Sequence, residues 1–244
     1  GALYAAGAGV VYAVCALLFV AGVSLVWSAR YDHRPAPRAP VTLDTLLAGV
    51  RFIRARPVVL GAISLDLFAV LLGGATALLP IYARDILHVG PQGLGLLRGA
   101  PALGALLMSL VLARWTLRSC AGAILFSCVA AFGATAIVFG VSRSFWLSMA
   151  ALFVNGAVDK VSVVVRQTLV QLDTPDAMRG RVSAVNSIFI GASNQLGEFE
   201  SGATAALFGP VGAVVLGGAG TLLVVALWMR WFPELRHRRS LAEA

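Results

Sequence analysis

Between residues 2 and 28 the chain carries no charged side chain, and apolar runs of similar length recur to its end. About 20 largely apolar residues cross a bilayer core of about 30 Å as a helix. Seven stretches meet that length: 2–28, 58–83, 93–113, 121–141, 145–172, 182–206 and 211–231. In lipid, each backbone N–H and C=O must find a partner inside its own segment or in a closed barrel. Runs this long and this apolar therefore predict an all-α fold, an integral membrane helical bundle with seven transmembrane helices. Composition agrees. Hydrophobic residues make up 59% of the chain and charged ones 12%, against about 45–50% and about 25% in soluble domains. A signal peptide is the competing reading of 2–28, but its apolar core would be shorter and preceded by a basic flank. The chain begins at Gly1, already beside an apolar run, which reads as a piece of a longer protein.

The net charge of +8 does not mark a nucleic-acid partner, because the basic residues sit in short clusters between the spans. Fifteen of the nineteen Lys and Arg fall in alternate loops on one side: Arg30 to Arg56, Arg114 and Arg118, Arg166 to Arg181, and Arg230 to Arg239. The opposite side has Arg84 and Arg143, while Arg98 and Lys160 lie within spans. The positive-inside rule makes the rich side cytoplasmic. The expectation is a multi-pass protein of the cell (plasma) membrane with its C-terminus in the cytoplasm. The domain reading is a first transmembrane helix in 1–29, a cytoplasmic loop in 30–57, a six-helix half in 58–231 and a tail in 232–244. Within the loop, Thr42 can cap a helix in which Leu43, Leu46, Leu47, Val50 and Ile53 share a face. That helix either lies on the lipid surface or packs as a linker. Gly95 and Gly99 stand at the spacing of close helix contacts, and Gly217, Gly218 and Gly220 form a small-residue face. The three cysteines form no spaced framework, the histidines lie in loops, and no metal or cofactor is implied.

Charges and amides inside a span mark a site or a pathway. On 182–206, a helix of 100° per residue puts Ser183, Ser187, Gly191, Asn194, Glu198 and Ser201 on one arc. Asn186 and Gln195 add further amides to this span. Glu198 lies about 25 Å above Arg181, and Asp66 about 14 Å above Pro57, close to the midplane. Asp66, Asn194, Glu198, Asn186 and Gln195 are the candidates for substrate binding or proton coupling. Glu200 is about 160° from Glu198 and faces a neighbouring helix or the headgroups. Arg98, about 8 Å from the outer end of its span, can pair with Glu198, Glu200 or Asp66. Asp159, Lys160 and Arg166, with Arg98 and Glu200, are the gating or ion-pair candidates. In the following loop Thr174 reads as an N-cap, Pro175 as the first helical residue and Asp176 as a first-turn acid. Arg179, Gly180 and Arg181 then lead into the next span, where arginines meet lipid phosphate or helix-end carboxylates.

The strings TPDAMRGRVSAVN and FIGASNQLGEFESG, with RQTLVQ, LLPIYARDILHVGPQGLG and FPELR, resemble the major facilitator superfamily. Within it they are similar to the secretion permeases related to the enterobactin exporter. The resemblance covers essentially the whole chain. It implies a twelve-helix transporter in two halves, of which this chain is the sixth helix, the central loop and helices seven to twelve. Those six helices would form two three-helix repeats of inverted topology. It also implies export of a siderophore- or drug-like small molecule by proton antiport, and an N-terminal half as partner. The family's loop motif and its glycine-rich antiporter signature belong to helices that precede this chain. A weaker echo of the loop motif, ARWTLRSCAG at 113–122, keeps the arginines but lacks the aspartate.

Two other classes compete. An intramembrane aspartyl protease would use Asp66 and Asp159, but neither is followed by a glycine-aspartate loop, and no span holds a histidine for a serine site. A non-transporting sensor or scaffold is the other reading.

Overall fold

The computed structural model of the chain describes residues 7–28, 43–73, 75–115 and 120–238. The regular elements among these residues are all helical. The chain divides into two compact units, Gly1–Val41 and Thr42–Ala244. The first contains α1, Ala8–Ser28, whose 21 residues rise about 32 Å, enough to cross a membrane. Arg30, Arg34, Arg38, the proline-rich run, the Thr42 cap, Arg118 and Arg239 lie outside the described residues. So does most of the loop between Trp115 and Cys120 that carries the echo of the family motif.

The second unit opens with α2, Leu43–Ala55. Ile53 is buried with Val59, Ile63, Val170, Val182 and Val185, and Gly49 sits against the Arg181 carbonyl. This packing agrees with the linker reading, and Leu47 stays exposed on the outer side. Arg51 and Arg54 point outward, and Arg56 stacks on the Phe52 ring at 5.7 Å.

Helix α3, Pro57–Leu72, starts on a proline, whose missing N–H is harmless in a first turn. Its regular α-helical turns stop at Gly73, while the membrane-length span runs on as Pro57–Ile86, in keeping with the expected 58–83. A 3₁₀ turn (Ala75–Leu78), the short α4 (Leu79–Ile81) and a π-helical turn (Tyr82–Ile86) continue the path. The Tyr82 hydroxyl donates to the Gly140 carbonyl at 2.9 Å and pins this broken upper portion. The next three helices follow the expected spans closely: α5 (Pro91–Arg114), α6 (Ala121–Val141) and α7 (Phe145–Leu172).

The last long helix, α8, runs Asp176–Trp231. Its 56 residues would stretch about 84 Å, far beyond a core of about 30 Å. It is broken at Gly209, whose φ of 75° and ψ of 165° lie outside what a side chain tolerates, and Pro210 follows. Among the described residues six helical stretches are long and apolar enough to cross a membrane, with α3 and the turns after it counted as one, Pro57–Ile86. Because α8 is two rods, they supply the seven membrane-length stretches that the sequence predicts.

Close backbone contacts hold the bundle. Gly104 of α5 lies against the Phe153 carbonyl, and Gly156 of α7 against the Pro101 backbone. Of the expected Gly95/Gly99 pair, Gly99 makes no such contact: a Cβ there would meet nothing within 4 Å. Gly217 and Gly218 do form a contact face, against Leu72 and Gly133. At the far end α9, Pro233–His237, buries Leu235 beneath Gly61 and Gly122. Arg238 then pairs with Asp173 at 2.9 Å. The tail thus fastens α3, α6 and the α7–α8 turn together.

A direct contrast tests the glycine assignment. Gly156→Val forces a methyl pair into a backbone crossing, and overpacking of this kind costs about 1–3 kcal/mol. The variant is expected to melt below wild type in detergent, whereas Gly99→Val melts with it. Equal melting of the two variants would show that the α5–α7 crossing does not depend on Gly156.

Candidate intramembrane site

The most deeply buried charges belong to two different helices. Asp66 on α3 and Arg166 on α7 form an ion pair, with side-chain exposures of 13% and 4%. The sequence offers Asp66 no nearby counter-charge, and Arg98 is the expected partner. Arg98 instead is exposed and makes no ion pair with Asp66, Glu198 or Glu200 among the described residues. The partner comes from a helix expected to carry Arg166 toward solvent. Burying the aspartate and arginine together removes the main cost of either alone.

Two cavities are each lined by residues of both α7 and α8. The larger, about 550 Å³, is lined by Arg166, Gln167, Gln171, Arg179, Gly180 and Asn186, with Ser183 and Ser187 from the polar arc. The smaller, about 230 Å³, lies farther along the bundle. Its wall takes Asn155 and Asp159 from α7, Asn194 and Glu198 from α8, Thr135 from α6, and Gly73 and Thr76 from the break after α3. The Asn155 amide donates to the Thr135 hydroxyl at 2.9 Å and to the Phe132 carbonyl at 3.0 Å, so one wall is fixed. Non-helical backbone at membrane depth is tolerated where it lines such a cavity.

The polar arc on α8 divides as its position dictates. Ser183, Ser187, Gly191, Asn194 and Glu198 are exposed, while Ser201 is buried. Val182, Val185, Ser193 and Gly197 form the buried side, and Gly197 lies against the Val70 and Leu71 backbone. Gln195 is exposed and lines neither cavity. Glu200 accepts a hydrogen bond from the Thr204 hydroxyl at 2.7 Å, one turn along its own helix. Lys160 is half-buried beside Asp159.

The α7–α8 turn corrects one expectation. Thr174 does not cap α8; its buried hydroxyl donates to the Val170 carbonyl at 2.5 Å and closes the end of α7. Pro175 precedes α8 instead of opening it, and its carbonyl accepts from Met178 and Arg179. Arg179 pairs with Asp176 at 2.6 Å and donates to the Gln171 carbonyl at 3.2 Å. The Arg181 guanidinium reaches the Met178 sulfur. Gly180 has open space where a side chain would be.

Asn155, Thr135, Gln167 and Gln171 escaped the sequence reading. The signal was present for three of them. Asn155 stands four residues before Asp159, and Gln167 four before Gln171, the spacing of neighbours on one helix face.

Helices that cross a membrane around polar cavities, with a broken span lining one of them, are the architecture of a transporter half. The family model described as transmembrane secretion effector matches residues 1–242. The chain belongs to this family of major facilitator superfamily transporters. Among curated proteins it is similar to the enterobactin exporter EntS of Escherichia coli (strain K12), 29% identical over 207 residues. That match covers 84% of this chain and 49% of the relative. The EntS of Shigella dysenteriae serotype 1 (strain Sd197) is 28% identical over the same shares. The chain therefore spans about half the length of the curated relatives it matches. No solved structure gives a significant match.

Breaking a buried ion pair from one side costs about 3–5 kcal/mol, because it leaves a lone charge. Asp66→Asn is expected to lower the melting temperature and the folded yield of the protein. Asp66→Asn with Arg166→Gln removes both charges and is expected to recover much of the loss. Thermal unfolding of the purified variants checks this. A single variant as stable as wild type would show that the pair contributes nothing.

Proposed function

We propose that this chain forms the C-terminal half of a secondary exporter that moves a siderophore- or drug-like small molecule out of the cell in exchange for protons. The observation that carries the reading is the cavity walled by Asp159, Asn194 and Glu198 beside the break after α3. Discontinuous helices next to polar groups are where transporters hold substrate and coupling ion. The names of the enterobactin exporters support export of a small molecule, and the half-length match supports an N-terminal half as partner.

In this reading the arginine-rich loops face the cytoplasm of a plasma-membrane protein, and so does the tail. Substrate enters from that side past Asn186 and the cavity headed by Arg166. Asn194 and Glu198 contact it deeper in. Alternating access then rocks this half against the other around the site. The turn from Thr174 to Arg181 moves with the half, braced by Asp173 and Arg238. Arg98, Lys160, Gln195 and Glu200 stand around this path and tune its charge.

The test is export by the whole protein. Deletion of the gene in its host is expected to raise intracellular retention of the exported compound, screened first among the host's own siderophores. Glu198→Gln in the full-length protein is expected to cut efflux about tenfold or more at unchanged expression, the loss of one charged contact to substrate. Wild-type efflux from Glu198→Gln would remove the residue from the path. Unchanged retention of every compound after deletion would favour a sensor or scaffold.

A further inference from the structure

We propose that Asp159, not Asp66, is the carboxyl group that takes up and releases the coupled proton. The inference rests on the proton-antiport reading above and names the residue that reading leaves open.

Asp66 is the obvious candidate by depth, and its surroundings argue against it. Its carboxylate is bound to Arg166, and both side chains are buried. A proton on Asp66 would leave the guanidinium in the bundle with no counter-charge, which is a costly state. The pair suits a brace between α3 and α7 that stays charged through a cycle.

Asp159 stands in the opposite situation. It is half-buried on the wall of the 230 Å³ cavity and makes no ion pair to another helix among the described residues. The cavity has room for several waters, which a proton needs to reach it. Asn155, one turn before it on α7, is held by Thr135 and the Phe132 carbonyl and does not move into its place. Among the described residues lining the cavity, Asp159 and Glu198 are the ionisable ones.

Arg114 at the end of α5 and Asp176, Arg179, Arg181 and Arg230 of α8 do not line the cavity, and the other ionisable groups on the packed elements are few. On its own helix Lys160 adjoins it, and Arg166 is engaged two turns away. From α3 there is Asp66, engaged by Arg166. From α5 there is Arg98, exposed and outside the cavity wall. From α6 there is Cys128, also outside that wall. From α8 there is Glu198 across the cavity, while Glu200 holds Thr204. A proton arriving in this space meets two carboxylates, Asp159 and Glu198. Asp159 is the member enclosed within the bundle, whereas Glu198 is exposed on α8 and available to substrate. Substrate in the cavity and a proton on Asp159 then exclude each other, and that exclusion is what exchange requires.

The experiment uses the full-length protein in lipid nanodiscs, titrated with protons alone and followed by infrared difference spectroscopy. The carbonyl stretch of a protonated carboxyl lies apart from the amide bands. Wild type is expected to show such a band at low pH that disappears as pH rises. Asp159→Asn loses it, and Asp66→Asn together with Arg166→Gln keeps it. If Asp159→Asn does not fold, Asp159→Glu retains a band at a shifted frequency and midpoint. A band unchanged in Asp159→Asn or in Asp159→Glu overturns the proposal, as does one lost in the Asp66/Arg166 double variant. A wild type with no titrating carboxyl overturns both this assignment and proton coupling. Export itself, measured by compound retention, stands or falls separately.

Discussion

A fixed charge buried in a bilayer is costly without a counter-charge, and in the Asp66–Arg166 pair each residue supplies one for the other. The two residues sit on helices that the chain visits far apart, α3 and α7. Their pairing fixes the depth and rotation of one helix against the other, because a shift along either axis would bury a lone charge. Around the pair the contacts are apolar and close. Ala62, Leu65 and Ala69 of α3 share a core cluster with Val161, Val165 and Leu169 of α7 and with Trp228 of α8. The Trp228 indole N–H donates to Ser64 at 3.0 Å and ties the end of α8 to the same helix.

The second constraint is that helices without water between them gain only what contact gives. Small residues therefore matter more than large ones. Gly104 and Gly156 bring α5 and α7 together, and Gly197 and Gly217 bring the two rods of α8 onto α3. Where the backbone departs from a helix, another element covers it. The segment after Gly73 is held by Tyr82 on Gly140 and by the Tyr82–Phe139 ring contact at 4.5 Å. The break at Gly209 is covered in part by the same tyrosine, whose hydroxyl lies 3.4 Å from the Pro210 carbonyl. One buried phenol thus serves both irregular points in the upper bundle.

Local sequence made the helices legible and left their partners hidden. Span limits for α5, α6 and α7 follow from apolar length, and the break at Gly209 falls in the short gap between the expected spans 182–206 and 211–231. The end of α3 at Gly73 was also written locally, as a Gly-Gly pair inside an apolar run. It was masked there by the continuity of hydrophobic residues on either side. The Asp66–Arg166 pair could not be read at all, because helical periodicity fixes which residues share a face and says nothing of which helix the face meets. The same limit misdirected Arg98 toward a carboxylate and Gly99 toward a helix. Thr174 failed for a different reason. A threonine before proline and aspartate fits an N-cap, yet its hydroxyl also reaches the carbonyl four residues back, and here the end of α7 took it.

The arrangement of α7 draws these strands together. Asn155, Asp159, Arg166, Gln167 and Gln171 descend one long helix and pass both cavities in turn. Arg166 is anchored to α3, Asn155 to α6, and the residues between are free of such ties among the described residues. α7 is fixed at both points and packed between them through Gly156, Val161 and Val165, and in the proposed cycle Asp159 is the changeable charge on this rigid wall. Glu198 and Asn194 reach the same space from α8, whose buried side is locked on α3 by Gly197. Rigidity on three sides means that a change of charge in the cavity is not absorbed by side-chain adjustment within this bundle. Under the proposed exchange, it is expressed as a change in what the exposed face of α8, from Ser183 to Glu198, binds.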